Sequence, residues 1–281
     1  MPSQLEQIRD QQRQTWDKFS AGWKKWDELV LKWLAPVGQE LIRSAALRDT
    51  SNVLDVAAGT GQPGLTAAGL VPKGTVTVTD LSDRMLEVAA DSAARRGIEN
   101  FQTKQCDAGA LPFPDSSFDA VLCRFGFMFF PDVDTCVKEF VRVAKPGARV
   151  CTAVWDVPDK NLWATTIIGT ISKYVDMPTP PPGSPGLFRC AAPGYMETAF
   201  RKGGLKDIAV KNVAGELSFK SADEYWSFMT EIAAPVVAGL TKADEPTRQK
   251  IEATVLDLAR KTSPDGKPRL PWSASTISGT K

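Results

Sequence analysis

Between residues 52 and 155 short apolar runs alternate with stretches of helical periodicity, and this rhythm restricts the fold more than any other feature of the chain. VLDVAA (53–58) leads into a glycine loop and a helix around 63–70. GTVTVTD (74–80) is rich in β-branched residues and reads as a second strand. LSDRMLEVAADSAARRG (81–97) has a capping Ser82, helical spacing and a closing glycine. FQTKQCD (101–107), FDAVLCRFGF (118–127) and ARVCTAVW (148–155) are further strands, the last two separated by a helix over 132–144. Strands joined by helical connections of this length pair in parallel, with helices on both sheet faces. Beyond 156 the pattern loosens into helices at 161–175, 192–203, 222–239 and 244–261 and strands at 206–219 and 271–280, so seven strands are expected in all.

Ahead of the alternation, residues 4–34 predict one long helix with Trp16, Phe19, Trp23, Trp26, Val30 and Trp33 on one face. Pro36 then interrupts, and a second helix follows over 37–48. The expected organisation is an N-terminal helical cover (1–48) on a single α/β domain (49–281), in which 156–265 holds a helical insertion on the substrate side. PTPPPGSPG (178–186) is neither regular helix nor central strand; it reads as a surface connection or as a loop over a pocket mouth.

Composition removes several classes of function. Lys plus Arg is 34 against 33 for Asp plus Glu, so no global field attracts nucleic acid or an anionic membrane. The polar start lacks an apolar signal core and no run is long and apolar enough to span a bilayer, which predicts a cytoplasmic protein. The 5 cysteines form no CxxC pair and read as reduced thiols. With His at 0, imidazole bases and His-ligated metals are excluded, and no metal is expected.

Gly59, Gly61 and Gly64 have the spacing of a dinucleotide-binding loop, with Asp80 about 20 residues on at a strand end. A pyrophosphate, however, must sit at that loop and the following helix N-terminus. Asp55, on the strand that feeds the loop, repels it, and Pro63 removes one N–H. A ligand with a cationic end and no phosphate avoids the conflict, and S-adenosylmethionine is one. Asp80 then suits a ribose diol, Asp107 an adenine amino group and the Ala108 N–H a ring nitrogen. A nicotinamide-dependent oxidoreductase stays open as the alternative.

VLDVAAGTGQPG, TVTVTDLSDRMLEVA, CDAGALPFPDSSFDAV and FVRVAKPGARV, taken in order over roughly 50–155, resemble the motifs of class I S-adenosylmethionine-dependent methyltransferases, especially the ubiquinone/menaquinone C-methyltransferase type. The resemblance implies a Rossmann-like α/β fold with a seven-stranded, mostly parallel sheet whose last strand is antiparallel. It implies that Asp55, Ala57, Gly59 and Gly61 frame the methionine part, that Asp80 takes the ribose with Leu81 and Met85 against the adenine, and that Asp107 and Ala108 hold the adenine edge. The backbone near Arg124 is then placed beside the methionine moiety. It also admits a non-methylating protein on the same fold.

The expected acceptor is a small apolar or aromatic molecule, lined by Phe19, Trp23, Phe125, Met128, Trp155 and Phe188, and methylated at carbon, oxygen or sulfur. Tyr195, Tyr225 and Asp156 are candidates for a base, although no spacing singles one out. Oligomeric state is not legible.

Overall fold

The computed structural model describes residues 3–177, 181 and 183–281. The described residues form seven strands: β1 (Asn52–Val56), β2 (Thr75–Asp80), β3 (Phe101–Gln105), β4 (Phe118–Arg124), β5 (Ala144–Trp155), β6 (Lys206–Ser218) and β7 (Arg269–Thr280). They make one sheet in the order β3-β2-β1-β4-β5-β7-β6. β1 to β5 pair in parallel, and β7 runs antiparallel to both β5 and β6. This is the expected Rossmann-like α/β sheet with an antiparallel final strand.

The strand order reverses between β1 and β4, which opens a crevice beyond their C-terminal ends. Both strands are apolar nearly throughout because both faces are covered: Val53, Leu54, Ala120, Val121, Leu122 and Cys123 are all fully buried. α3 (Gly64–Ala68) joins β1 to β2, α4 (Asp83–Arg95) joins β2 to β3, and α5 (Val133–Val143) joins β4 to β5. Right-handed crossovers leaving the switch point in opposite directions put α3 and α4 on one face and α5 on the other. α7 (Tyr195–Lys202) packs beside α5.

The N-terminal region is two helices, α1 (Gln4–Lys25) and α2 (Asp27–Ala45), and the break falls at Trp26 rather than at Pro36. Pro36 lies inside α2, where it forfeits one intrahelical bond. The helix continues because Val30, Trp33, Leu34, Val37 and Leu41 are buried, with α2 packed against β4, β5 and β7. The chain turns at Trp26 because its neighbours dock on α8 (Ala222–Ile232). The Trp26 indole donates to Glu231 Oε2 at 2.9 Å, and its ring stands edge-on to Phe228. Gly22 lets the helices touch, since a Cβ there would lie 2.1 Å from the Glu231 carbonyl oxygen.

The single helix expected at 222–239 is likewise split, into α8 and α9 (Ala234–Leu240). Pro235 has no N–H for the Glu231 carbonyl, so α8 ends and Pro235 opens the next helix. α6 (Leu162–Tyr174) and α10 (Glu245–Arg260) pack together and complete the helical layer on the β5–β7 side. Within the proline-rich segment 178–186, residues 178–180 and 182 lie outside the described residues. Its end is anchored, because the Gly186 N–H donates to the Met128 carbonyl at 2.9 Å.

Candidate active site

The glycine loop is braced from beneath by two carboxylates. β1 ends where Ala57 adopts a left-handed φ of 55°, a conformation in which an L side chain is strained, and Gly59 and Gly61 follow at 56° and 103°. Asp80 Oδ2 accepts the Gly59 N–H and Asp55 Oδ2 accepts the Gly64 N–H, at 2.9 and 2.8 Å. The other Asp80 oxygen accepts the Ser82 N–H at 2.9 Å, tying the loop to the start of α4. Asp107 Oδ1 closes the turn after β3 by accepting the Gly109 N–H at 2.9 Å.

Burial sets the electrostatics of this edge. It pushes the Asp55 carboxyl up to about 7 against the opposing pull of the Gly64 N–H and Arg124, with Asp80 adding to the rise. Burial also raises Asp80, opposed by the N–H groups of Ser82, Gly59 and Leu81. Arg124, at the last position of β4, is lowered by burial to about 10, while Asp55 and Asp27 act to raise it. Asp55 Oδ1 is buried and has no hydrogen-bond partner.

α1 crosses above the same edge and is latched to it at two points. Asp17 Oδ1 accepts the Ser82 hydroxyl at 2.6 Å, and Arg9 Nη1 lies 3.8 Å from Asp107 Oδ2. At the start of α2, Asp27 Oδ1 accepts the Thr60 hydroxyl at 3.2 Å. Trp16 stands edge-on to Phe129, with ring centroids 5.1 Å apart. Sequence reasoning missed Arg9, Asp17, Asp27 and Thr60. A signal was present for Arg9 and Asp17, which lie eight apart and so share one helical face.

Residues 53–147 match the family model described as a methyltransferase domain. The uncharacterized protein Rv1403c of Mycobacterium tuberculosis is 32% identical over 238 residues, covering 83% of each chain. The ubiquinone/menaquinone biosynthesis C-methyltransferase UbiE of Pseudomonas putida is 37% identical over 123 residues, covering 43% of this chain and 48% of that one. The chain belongs to the class I S-adenosylmethionine-dependent methyltransferases. Among solved structures, its fold resembles phosphoethanolamine N-methyltransferase 2 of Haemonchus contortus in complex with S-adenosyl-L-methionine, with a TM-score of 0.52, 18% identity, and coverage of 87% of this chain and 52% of that one.

In this methyltransferase Leu81 follows β2 half-buried, while Met85 and Ala108 are buried beside the same edge. The aromatic candidates divide. Phe125 has a left-handed φ of 64° and stacks on Trp155 at 4.2 Å. It is half-buried, as are Trp23 and Phe188. Met128 and Trp155 are 1% and 3% exposed, and Phe19 is 8% exposed, so these three are packing residues in this conformation. Trp155 belongs to an aromatic cluster with Trp33, Trp163 and Trp272.

The candidate bases are placed elsewhere. Tyr225 is fully buried, donates its hydroxyl to the Trp163 carbonyl at 2.8 Å, and is pushed far up by burial, so it cannot act as a base there. Asp156 is held by Ser273, Ser275 and Asn212, each at 2.5 Å, and staples β5 to β6 and β7. Tyr195 borders a groove of about 540 Å³ between α5 and α7, lined also by Asp132, Arg189, Thr198 and Lys202 and by no glycine-loop residue. Burial raises its hydroxyl above the ordinary range. Among the described residues no helix is long and apolar enough to cross a membrane.

Proposed function

We propose that this chain moves a methyl group from S-adenosylmethionine to a small apolar or aromatic acceptor. One observation carries the reading. Two of the loop N–H groups that a pyrophosphate would need, those of Gly59 and Gly64, are already taken by the carboxylates of Asp80 and Asp55. The loop therefore offers bound acids where a dinucleotide requires free donors, and that favours a cationic nucleoside over a nicotinamide cofactor.

When bound, S-adenosylmethionine supplies a methyl group on a sulfonium, already activated as an electrophile. The residues present fit it. Asp55 Oδ1 is an unused acceptor beside the loop. Asp80 retains lone pairs for a ribose diol after accepting two N–H groups, and Asp107, which spends Oδ1 on the Gly109 N–H, keeps Oδ2, 3.8 Å from Arg9 Nη1, as an acceptor for an adenine amino group.

The chain's own contribution is alignment and exclusion of water. α1 and α2 roof the sheet edge through Asp17, Asp27 and Trp16, which keeps solvent away while charge is neutralised at sulfur. Alignment alone is worth ~7–11 kcal/mol. Phe125, Trp23 and Phe188 supply apolar lining for the acceptor. With Tyr225 and Asp156 engaged in packing, the reading favours an acceptor that ionises without a strong base, such as a thiol or an acidic phenol.

Calorimetric titration with S-adenosylhomocysteine and with NADH tests the cofactor, and methyl-labelled cofactor with a panel of thiols, phenols and quinols tests transfer. Binding of S-adenosylhomocysteine with label transferred to one acceptor class is the expected result. Binding of NADH alone would reverse it.

A further inference from the structure

A ladder of stacked rings leads from the crevice to a donor that nothing in the chain uses. Phe125, the first residue past β4, stacks on Trp155, the last of β5, at 4.2 Å and 15°. Trp155 stacks in turn on Trp33, in the second turn of α2, at 5.5 Å and 19°. Trp33 also stands edge-on to Trp163 of α6 and Phe228 of α8, with ring centroids 4.7 and 6.0 Å away. It therefore lies where the strand ends meet the helical layer that follows β5.

Polar groups on the surrounding aromatic residues are satisfied. The Trp163 indole donates to Asn161 Oδ1 at 3.1 Å, and the Tyr225 hydroxyl donates to the Trp163 carbonyl at 2.8 Å. Trp33 is different: it is 5% exposed, and its Nε1 has no hydrogen-bond partner. Among the described residues the indoles of Trp23 and Trp272 share that condition. Trp23, however, is only half-buried, and Trp272 Nε1 lies against Gly215, 3.2 Å from where a Cβ would stand.

Packing alone would be served by phenylalanine, which brings a ring without a donor. A buried indole N–H left unbonded carries the full desolvation cost of that group. A ligand with an acceptor atom offsets it. A hydrocarbon has no such atom and a thiol sulfur is a weak one, whereas a phenolic or carbonyl oxygen is strong. We infer that Trp33 selects the methyl acceptor: its indole N–H takes an oxygen of an aromatic molecule whose ring packs at the Phe125–Trp155 ladder. The inference rests on the methyltransferase reading and narrows its acceptor from thiols and phenols to the oxygen-bearing class. The donor is enclosed in this conformation, and α1, which buries only Phe19 and Ser20, is the part that yields to admit the acceptor.

The test is equilibrium dialysis of 2-naphthol, 2-naphthalenethiol and naphthalene against the full chain saturated with S-adenosylhomocysteine. Trp33→Phe keeps a ring and removes the N–H. It should bind 2-naphthol ~10-fold more weakly than the parent, the worth of one buried hydrogen bond. The thiol and the hydrocarbon should stay within about twofold, as should S-adenosylhomocysteine itself. Trp272→Phe removes the other enclosed donor and should leave all three aromatic ligands unchanged. Equal weakening of the three in Trp33→Phe, no weakening of 2-naphthol, or the same oxygen-selective loss in Trp272→Phe would each overturn the assignment. So would a parent that binds S-adenosylhomocysteine but not 2-naphthol. A parent that does not bind S-adenosylhomocysteine would instead sink the cofactor reading, and the assignment with it. Should Trp33→Phe not fold, the parent alone decides through magnetic resonance of isotope-labelled indole nitrogens. The Trp33 N–H signal, assigned by its proximity to the Trp163 and Phe228 rings, should move downfield with 2-naphthol and not with naphthalene. The same response to both refutes the assignment.

Discussion

Ser82 Oγ donates to Asp17 Oδ1 at 2.6 Å while accepting the Met85 N–H at 3.1 Å, so the N-cap of α4 is fastened to the helix that crosses above it. One hydroxyl thus links the floor of the site, through Asp80 and the loop, to its roof. The roof is otherwise lightly held, because α1 buries only Phe19 and Ser20.

Asp17→Ala should therefore loosen α1 without unseating α4, whose cap survives. The loss of one hydrogen bond, ~1 kcal/mol, corresponds to about a fivefold rise in exchange of the α1 amides. Hydrogen-exchange mass spectrometry checks this. Unaltered protection across 4–25 would show that the aromatic contacts alone seat the helix.

Asp80 has a structural duty as well as an expected ribose role. Asp80→Ala strips the Gly59 and Ser82 N–H groups of their acceptor, at ~1–3 kcal/mol each where buried. Stability and cofactor affinity should fall together. Asp80→Asn keeps one carbonyl oxygen and should lose affinity more than stability. Urea unfolding beside calorimetry separates the two, and a folded Asn variant with parental affinity for S-adenosylhomocysteine would take Asp80 out of the site.

Asp55 should make stability fall with rising pH. Burial lifts its native pKa to about 7, whereas the unfolded chain has ~3.9. The native state binds the proton more tightly, so this contribution is fully present below ~pH 4 and is lost as pH climbs through about 7. Three units correspond to a ceiling of ~4 kcal/mol. Asp80 is raised in the same sense and adds to the trend. Asp55→Asn should flatten the dependence between pH 5 and pH 8 in urea titrations. Parallel curves for variant and parent would place the proton elsewhere.

Removing residues 1–25 should leave the sheet folded and depress turnover by an order of magnitude or more, because Arg9 and Asp17 leave with α1. Cutting at 30 instead removes the first turn of α2 and Val30, which is 2% exposed, and should add ~1–3 kcal/mol of destabilisation. Melting curves and single-turnover assays on both truncations test the distinction. Undiminished turnover after the shorter cut would mean that α1 is not the roof.

The sheet was readable because its signals are local and periodic. Runs such as VLDVAA and TVTVTD admit little but buried strands, and Ser82 marks a helix start by chemistry that acts within three residues. The helical covers were misdivided for the opposite reason. Pro36 is a strong local breaker and yet lies within α2, while Trp26, with no breaking propensity, is where the chain turns. The first outcome depends on packing against β4 and β5, the second on the distant Glu231 and Phe228.

The same division runs through the site. The carboxylates at positions 55, 80 and 107 and the glycines between them were legible, because strand ends and loop spacing place them in the chain itself. Whether Met128, Trp155 and Tyr225 face a ligand or the core was not, since an aromatic or apolar side chain at a strand or helix end suits either environment equally well. By itself, then, the sequence determined the order of the parallel strands' motifs, the acids that cap them and the absence of any imidazole chemistry. Only the tertiary structure decided which oxygen of Asp55 is spent on the loop, which is left over, and that the charge of Arg124 acts on it. Those outcomes depend on contacts between β1, β4 and α2, residues up to about a hundred positions apart, whose distances no local pattern encodes.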